Sequence, residues 1–99
     1  MEYQFEWDPQ KDESNQRKHG VSFRHAATVF RDPNQLSLFD EEHSEDEDRW
    51  ITLGLDCVGI LRVVVHIFRE ESEELCRIRI ISARKADPDE VTQYLEQSL

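Results

Sequence analysis

The sequence has little glycine (3), little proline (3) and only two cysteines. Its three glycines stand alone, so no glycine-rich loop is present to cradle a phosphate chain. Cys57 and Cys76 cannot build a disulfide framework, and they lack the short spacing and neighbouring ligands of a zinc site. Both read as small buried apolar residues in a reducing cytoplasm. Long apolar runs are missing as well. Val63-Val64-Val65 ends at His66, far short of the roughly 20 residues that span a bilayer, so no membrane role is expected. The N-terminal residues Met1 to Glu6 have no basic region followed by an apolar one, which argues against a signal peptide. No internal repeat is visible. Positive charge is scarce: 12 Lys and Arg face 22 Asp and Glu, for a net charge of −10. Such a balance speaks at first sight against a nucleic-acid partner.

The distribution of that charge changes its meaning. Residues 40–74 carry twelve of the 22 acids and three of the 12 bases, whereas both ends of the chain are close to neutral. The acids concentrate in two blocks, 40–48 and 70–74. Such blocks are solvated loops or docking surfaces for a basic partner.

At 99 residues the chain is expected to form a single domain over 1–99. Tyr3, Phe5 and Trp7 alternate, as in a short strand. Asp8-Pro9 reads as a helix N-cap with proline at the first helical position, and Gly20 as the helix end. The helix between them is polar all round, and Asn15, Lys18 and His19 are its conspicuous residues. Ser22 caps a second helix, in which Phe23, Ala26, Ala27 and Phe30 form an apolar stripe. Asp32-Pro33-Asn34 ends it. A short strand at 36–39 and three alternating strands at 50–57, 60–68 and 75–83 follow. Asp87-Pro88-Asp89-Glu90 is a capping box that opens a last helix carrying Val91, Tyr94 and Leu95. The expected fold is α+β: a small antiparallel meander with the N-terminal helices and the C-terminal helix packed on one side.

Strand alternation predicts what the other side of the sheet carries. If Val63, Val65 and Ile67 face the core, Arg62 and His66 face away. If Ile78 and Ile80 face the core, Arg77 and Arg79 face away. The expectation is one surface bearing Arg62, His66, Arg77 and Arg79, beside Trp50, with Arg84 and Lys85 just past the strand. That composition suits a phosphate backbone with an aromatic to stack a base. It also suits an ordinary sheet face laced with Arg–Glu pairs. His66 is either a sheet-surface histidine or an acid–base group, and His43 is either loop filler or an acid–base group.

Several blocks together carry a family pattern. They are Phe5-Glu6-Trp7-Asp8-Pro9 with Lys11 and Asn15, then Lys18-His19-Gly20-Val21-Ser22-Phe23. Ala26, Val29-Phe30 and Asp32-Pro33 follow, then Asp40 with His43-Ser44, Glu47-Asp48-Arg49-Trp50 and Gly54. Arg79-Ile80-Ile81-Ser82-Ala83-Arg84-Lys85-Ala86 with Glu90 and Tyr94 completes the pattern. In these the chain resembles BrnT-family toxins from about Phe5 to Tyr94. It departs from them in its acidity, with a pI near 4.7, and in its long acidic turn at 69–74.

The resemblance implies a RelE-like fold and the toxin half of a bacterial type II toxin–antitoxin pair. It implies a ribonuclease that arrests growth and needs no metal or other cofactor. It also implies a BrnA-like antitoxin with a ribbon-helix-helix domain, a 2:2 complex, and operator DNA bound through the antitoxin. Carried onto this chain, Arg79 and Arg84 hold the scissile phosphate, with Lys85 beside them. His43 is the acid–base group and Lys18 a helper, while His66 competes with His43 on strand geometry alone. Arg77, Arg62 and Trp50 would contact RNA. Glu47, Arg49 and Glu90 support the arginines. The alternative is a module without catalysis, docked through its acidic loops on a basic antitoxin and serving as a co-repressor.

Overall fold

The computed structural model describes residues 2–97. Ten elements follow one another: β1 (Glu2–Glu6), α1 (Pro9–His19), α2 (Phe23–Ala26), a 3₁₀ helix (Ala27–Arg31) and β2 (Leu36–Phe39) come first. A 3₁₀ turn (Glu41–His43), β3 (Arg49–Leu55), β4 (Leu61–Glu70), β5 (Leu75–Lys85) and α3 (Pro88–Gln97) complete the chain. The local signals act as their chemistry dictates. Asp8 accepts from the Gln10 N–H at 2.8 Å, and Gly20 takes φ +71°, where any Cβ would be strained. Ser22 accepts from the His25 N–H at 3.1 Å. Asp87 and Glu90 cap each other's N–H at 2.8 and 2.9 Å, a complete capping box. The stripe that reads as one α-helix over 22–30 instead tightens after one turn into the 3₁₀ helix.

The sheet has five strands in the order β1-β5-β4-β3-β2. Strands β2 to β5 pair antiparallel with their sequence neighbours, but β1 joins β5 in parallel. The sheet is therefore mixed, which corrects the antiparallel expectation. A parallel edge needs a long return path, and residues 7–74 supply it.

The helices also do not gather on one side. Phe23, Ala26 and Val29 pack on Val64, Ile78, Ile80 and Ala83, with Phe5, Trp7 and Phe30 at the margin. Tyr94 of α3 packs with Leu53, Leu61 and Val63. Val63 and Val64 are adjacent in a strand and point to opposite faces, so α2 and α3 cover opposite faces of the sheet. Gly54 allows the close approach on the α2 side, since a Cβ there would meet the Val29 carbonyl oxygen at 3.2 Å.

Helix α1 is held by its buried asparagine rather than by apolar packing. β1 pairs with β5 only as far as Arg79, which leaves the outer edge of β5 open beyond it. Asn15 closes that edge. Its amide nitrogen donates to the Ala83 carbonyl at 2.8 Å, and its amide oxygen accepts from the Ala83 N–H at 3.1 Å. The side chain thus takes the place of a missing strand. Asp12 adds a bond from the Phe23 N–H at 2.8 Å.

One irregularity sets the arginine geometry. Val65 pairs with Ser82, whereas His66 pairs with Ile80, so Ile81 is the extra residue of a β-bulge. In a regular strand Arg79 and Arg84, an odd number of residues apart, would face opposite ways. The bulge returns both to the α3 face, where their cross-strand partners are Ile67 and Val63.

Candidate functional site

On the α3 face, beyond the reach of α3 itself, lies an open groove of about 460 Å³. Lys11 of α1 flanks it on one side. His43 and Glu47 of the acidic loop flank the other, and Arg49, Ile67, Arg79 and Ile81 of the sheet form its floor. Next to it, and sharing Lys11 and Ile81, is a second depression lined by Lys18. A small third cavity brings Arg77 against Arg79. The groove therefore brings together His43, Glu47, Arg49 and Arg79 of the sequence-predicted residues, with Lys18 in the depression beside it and Arg77 in the small cavity.

Other predicted residues lie elsewhere, which corrects the single-surface expectation. Arg62 and His66 sit on the α2 face and are buried, 8% and 3% exposed. The cause is the register. Antiparallel partners share a face, so His66 lies with Ile80, and Ile67 lies with Arg79. Arg62 is turned inward by the buried Asp56, whose carboxylate accepts its Nε–H at 2.9 Å and lies 2.9 Å from His25 Nε2. Burial alone would raise the Asp56 carboxyl, but the Ile60 and Val58 N–H groups and the Arg62 guanidinium outweigh it and lower it to about 2. Trp50 pairs with His66 and also lies on the α2 face. Lys85 is exposed opposite Arg62, away from the groove.

Arg84 is on the groove's face but does not line the groove. Its guanidinium forms a bidentate pair with Glu90 of α3, at 2.8 and 2.9 Å. That hydrogen bond raises the Arg84 pKa and lowers that of Glu90. A second tie holds α3 from the other end. Tyr94 donates to Asp32 at 2.6 Å, and burial followed by that carboxylate pushes the phenol up to about 12.

Within the groove, Arg79 Nη2 lies 2.5 Å from Glu47 Oε1. Arg77 pairs with Glu71 at 3.1 Å and with Glu6 at 3.6 Å. The Nε of Arg49 is buried and has no hydrogen-bond partner. His43 Nδ1 lies 2.9 Å from Asp40 Oδ2, which leaves Nε2 as the ring nitrogen available to a reacting group. Among the described residues no cluster of three His, Cys, Asp or Glu side chains could hold a metal ion, and no helix is long and apolar enough to cross a membrane.

Lys11 is the basic groove residue that sequence reasoning left out of its site. The signal was present: Lys11 and Lys18 are seven apart, on one face of a helix, with Asn15 between them. Because Asn15 is tied to β5, that face must look onto the sheet edge.

The fold has a solved counterpart. The crystal structure of the Brucella abortus ribonuclease toxin BrnT matches 88% of this chain and 99% of its own, at 21% identity and a TM-score of 0.56. No curated protein matches the chain. The family model described as "Ribonuclease toxin, BrnT, of type II toxin-antitoxin system" matches residues 7–90. That span takes in α1, the acidic loop, the whole of β3 to β5 and the capping box of α3, and on it the chain belongs to the BrnT family of ribonuclease toxins.

Proposed function

We propose that this chain is an endoribonuclease toxin that works without a metal ion, and that Arg79 is its phosphate-holding residue. The observation that carries the reading is the groove: Arg79 and Arg49 share a floor with His43 on the rim, and the buried Nε of Arg49 has no partner. Cleavage by the neighbouring 2′-oxygen needs three things: a base for that oxygen, a stabiliser for the charge gathering on phosphorus, and an acid for the departing 5′-oxygen. Fixed guanidinium donors suit the second task. The ring of His43, oriented by Asp40 through Nδ1, suits a proton transfer at Nε2. Lys18 and Lys11 extend the positive edge along which a strand would run. Arg77 continues it beyond Arg79. Arg84 serves this reading as a positioning residue, tying β5 to α3 through Glu90.

The family supports a protein antitoxin as partner, and we assign that role to a BrnA-like ribbon-helix-helix protein in a 2:2 complex that reaches operator DNA through the antitoxin. A RelE-like classification of the fold and a cytoplasmic location go with this reading.

One observation favours the alternative of a non-catalytic co-repressor. Glu42, Glu45, Asp46 and Glu47 also line the groove, and Glu47 already occupies Arg79. Expression of the chain without its partner separates the two. A nuclease arrests growth and degrades RNA, and Arg79→Ala at equal soluble level abolishes both. Normal growth and intact RNA with well-folded wild-type protein would leave the co-repressor.

A further inference from the structure

The α2 face carries a second concavity, separated from the arginine groove by the sheet. Its volume is about 270 Å³, below the roughly 300–1,000 Å³ of drug-sized pockets. Phe30, Trp50, Phe68, Ile78 and Tyr3 form its apolar walls, with Ser37 and Gln35 as polar margin. None of its lining residues carries a fixed charge, so nothing in it would compensate a phosphate. Aromatic neighbours fix the walls: Phe39 stands edge-on to Trp50 at 5.1 Å, and Phe30 stands edge-on to His66 at 4.9 Å.

His66 gives this cavity a specific polar function. Its side chain lines the cavity yet is only 3% exposed. Nε2 is engaged, 2.7 Å from the Thr52 hydroxyl, which is itself 2.8 Å from the Ser37 hydroxyl. Nδ1 is buried and has no partner. Leaving such a group unpaired is unfavourable in a native fold, so an occupant that pairs with it through a small shift of the surrounding side chains is favoured. Burial lowers the His66 pKa to about 4, so the ring is neutral at pH 7. A neutral imidazole engaged at Nε2 offers either one lone pair or one N–H at Nδ1, according to what Thr52 does.

We propose that this cavity is a binding site for one uncharged, flat heteroaromatic ring of nucleobase size, stacked on Trp50 and hydrogen-bonded to His66 Nδ1. The walls supply π-faces and edges, the size admits one ring system, and the lack of fixed charge excludes the phosphate from the pocket. The proposal does not rest on the nuclease reading, because the site is on the opposite face of the sheet from Arg79. A ring of this kind has two sources, a free nucleobase and an unpaired base of an RNA strand.

The test uses a Trp7→Phe background, in which Trp50 is the sole tryptophan. Its fluorescence is titrated with adenine, guanine and uracil, with a 2′-O-methyl RNA oligonucleotide of mixed sequence, and with toluene as the apolar control. The His66 ring nitrogens are followed in parallel by ¹⁵N NMR on the wild-type chain, which needs no variant. The expected result is saturable quenching by a nucleobase together with a shift of Nδ1. His66→Phe, checked by its melting curve, should weaken the nucleobase about threefold to tenfold and leave toluene unchanged. Response to free bases assigns a small-molecule source. Response to the oligonucleotide alone assigns a strand base. Toluene binding without base binding, or base binding with an unmoved Nδ1, would overturn the proposal, as would no saturable response to any probe.

Discussion

Glu47 is the residue at which the acidity of this chain meets its proposed chemistry. Its carboxylate lies 2.5 Å from Arg79, where a substrate phosphate would have to sit. Glu47→Gln keeps the shape and removes the charge. The magnitude follows from exposure. The two side chains are 44% and 43% exposed, so the pair is a surface ion pair, with a net value of about 0.2–1 kcal/mol. A phosphate displacing the carboxylate loses that amount, so the substitution should tighten RNA binding by up to about fivefold. The remaining acids of the loop act through solvent over a Debye length of about 8 Å at physiological salt, and the gain should therefore shrink as salt rises. The assay is fluorescence anisotropy with a non-cleavable 2′-O-methyl RNA at two salt concentrations. Glu96→Gln, on an exposed position of α3, makes the same change in net charge away from the groove. Equal gains from the two variants would reduce the effect to net charge. Weaker binding by Glu47→Gln would show that Glu47 positions Arg79 rather than competing for it, and would refute the reasoning.

Two further outcomes follow from the ties around the sheet. Arg84→Ala removes a bidentate but partly exposed pair, worth about 0.5–1 kcal/mol after solvent screening, and should lower the melting temperature by about 2–8 °C; an unchanged melting curve would leave Arg84 without a structural role. His66 has a folded pKa below its unfolded value of 6.5, so the unfolded chain takes up the proton first. Its contribution is complete above pH 6.5 and is lost as pH falls toward about 4, amounting to about 2 kcal/mol between pH 7.5 and 5. Denaturant titrations at those two pH values should show that loss in the wild type and a smaller one in His66→Phe; equal losses would mean that other groups carry the acid sensitivity.

The elements were legible because each rests on a local rule. Asp8-Pro9, Gly20, Ser22 and the box from Asp87 to Glu90 mark ends that the backbone obeys. The faces of the sheet were not legible, and β4 shows why. Leu61, Val63, Val64, Val65, Ile67 and Phe68 put apolar residues on both faces, since helices cover both, and alternation then cannot choose between them. The bulge is equally silent. Nothing in Ile80-Ile81-Ser82 announces an extra residue, yet it decides that Arg84 joins Arg79. The parallel pairing of β1 is a long-range contact that its own five residues do not encode. Arg79, His43 and Lys18 were named from the sequence, and the structure puts the first two in the groove and Lys18 in the depression beside it. Arg62, His66 and Trp50 were misplaced by the same one-face error that misplaced the helices.

The charge arithmetic looks different once the contacts are known. A net charge of −10 suggests a surface hostile to RNA, but several of the acids are engaged by arginines. Glu71 holds Arg69 and Arg77, Glu47 holds Arg79, Glu90 holds Arg84, and Asp56 holds Arg62 inside the fold. Each of these carboxylates sets the position of a guanidinium. The consequences differ with burial. Asp56 and Arg62 are desolvated, and removing one strands the other, so that pair belongs to the fold. Glu47 and Arg79 are exposed; water can replace either partner, and a phosphate can replace the carboxylate, at little cost. An exposed carboxylate on the arginine proposed to hold the phosphate would therefore cost little affinity, while it keeps the guanidinium extended across the groove. On this argument the acidity of the loop lowers the strength of RNA binding without removing the site. The measurable trace is a salt response with two components: attraction by the arginines, screened as salt rises, and repulsion by the loop, screened as well. For the whole chain the two should partly cancel, giving a salt slope shallower than the number of phosphate contacts alone would dictate.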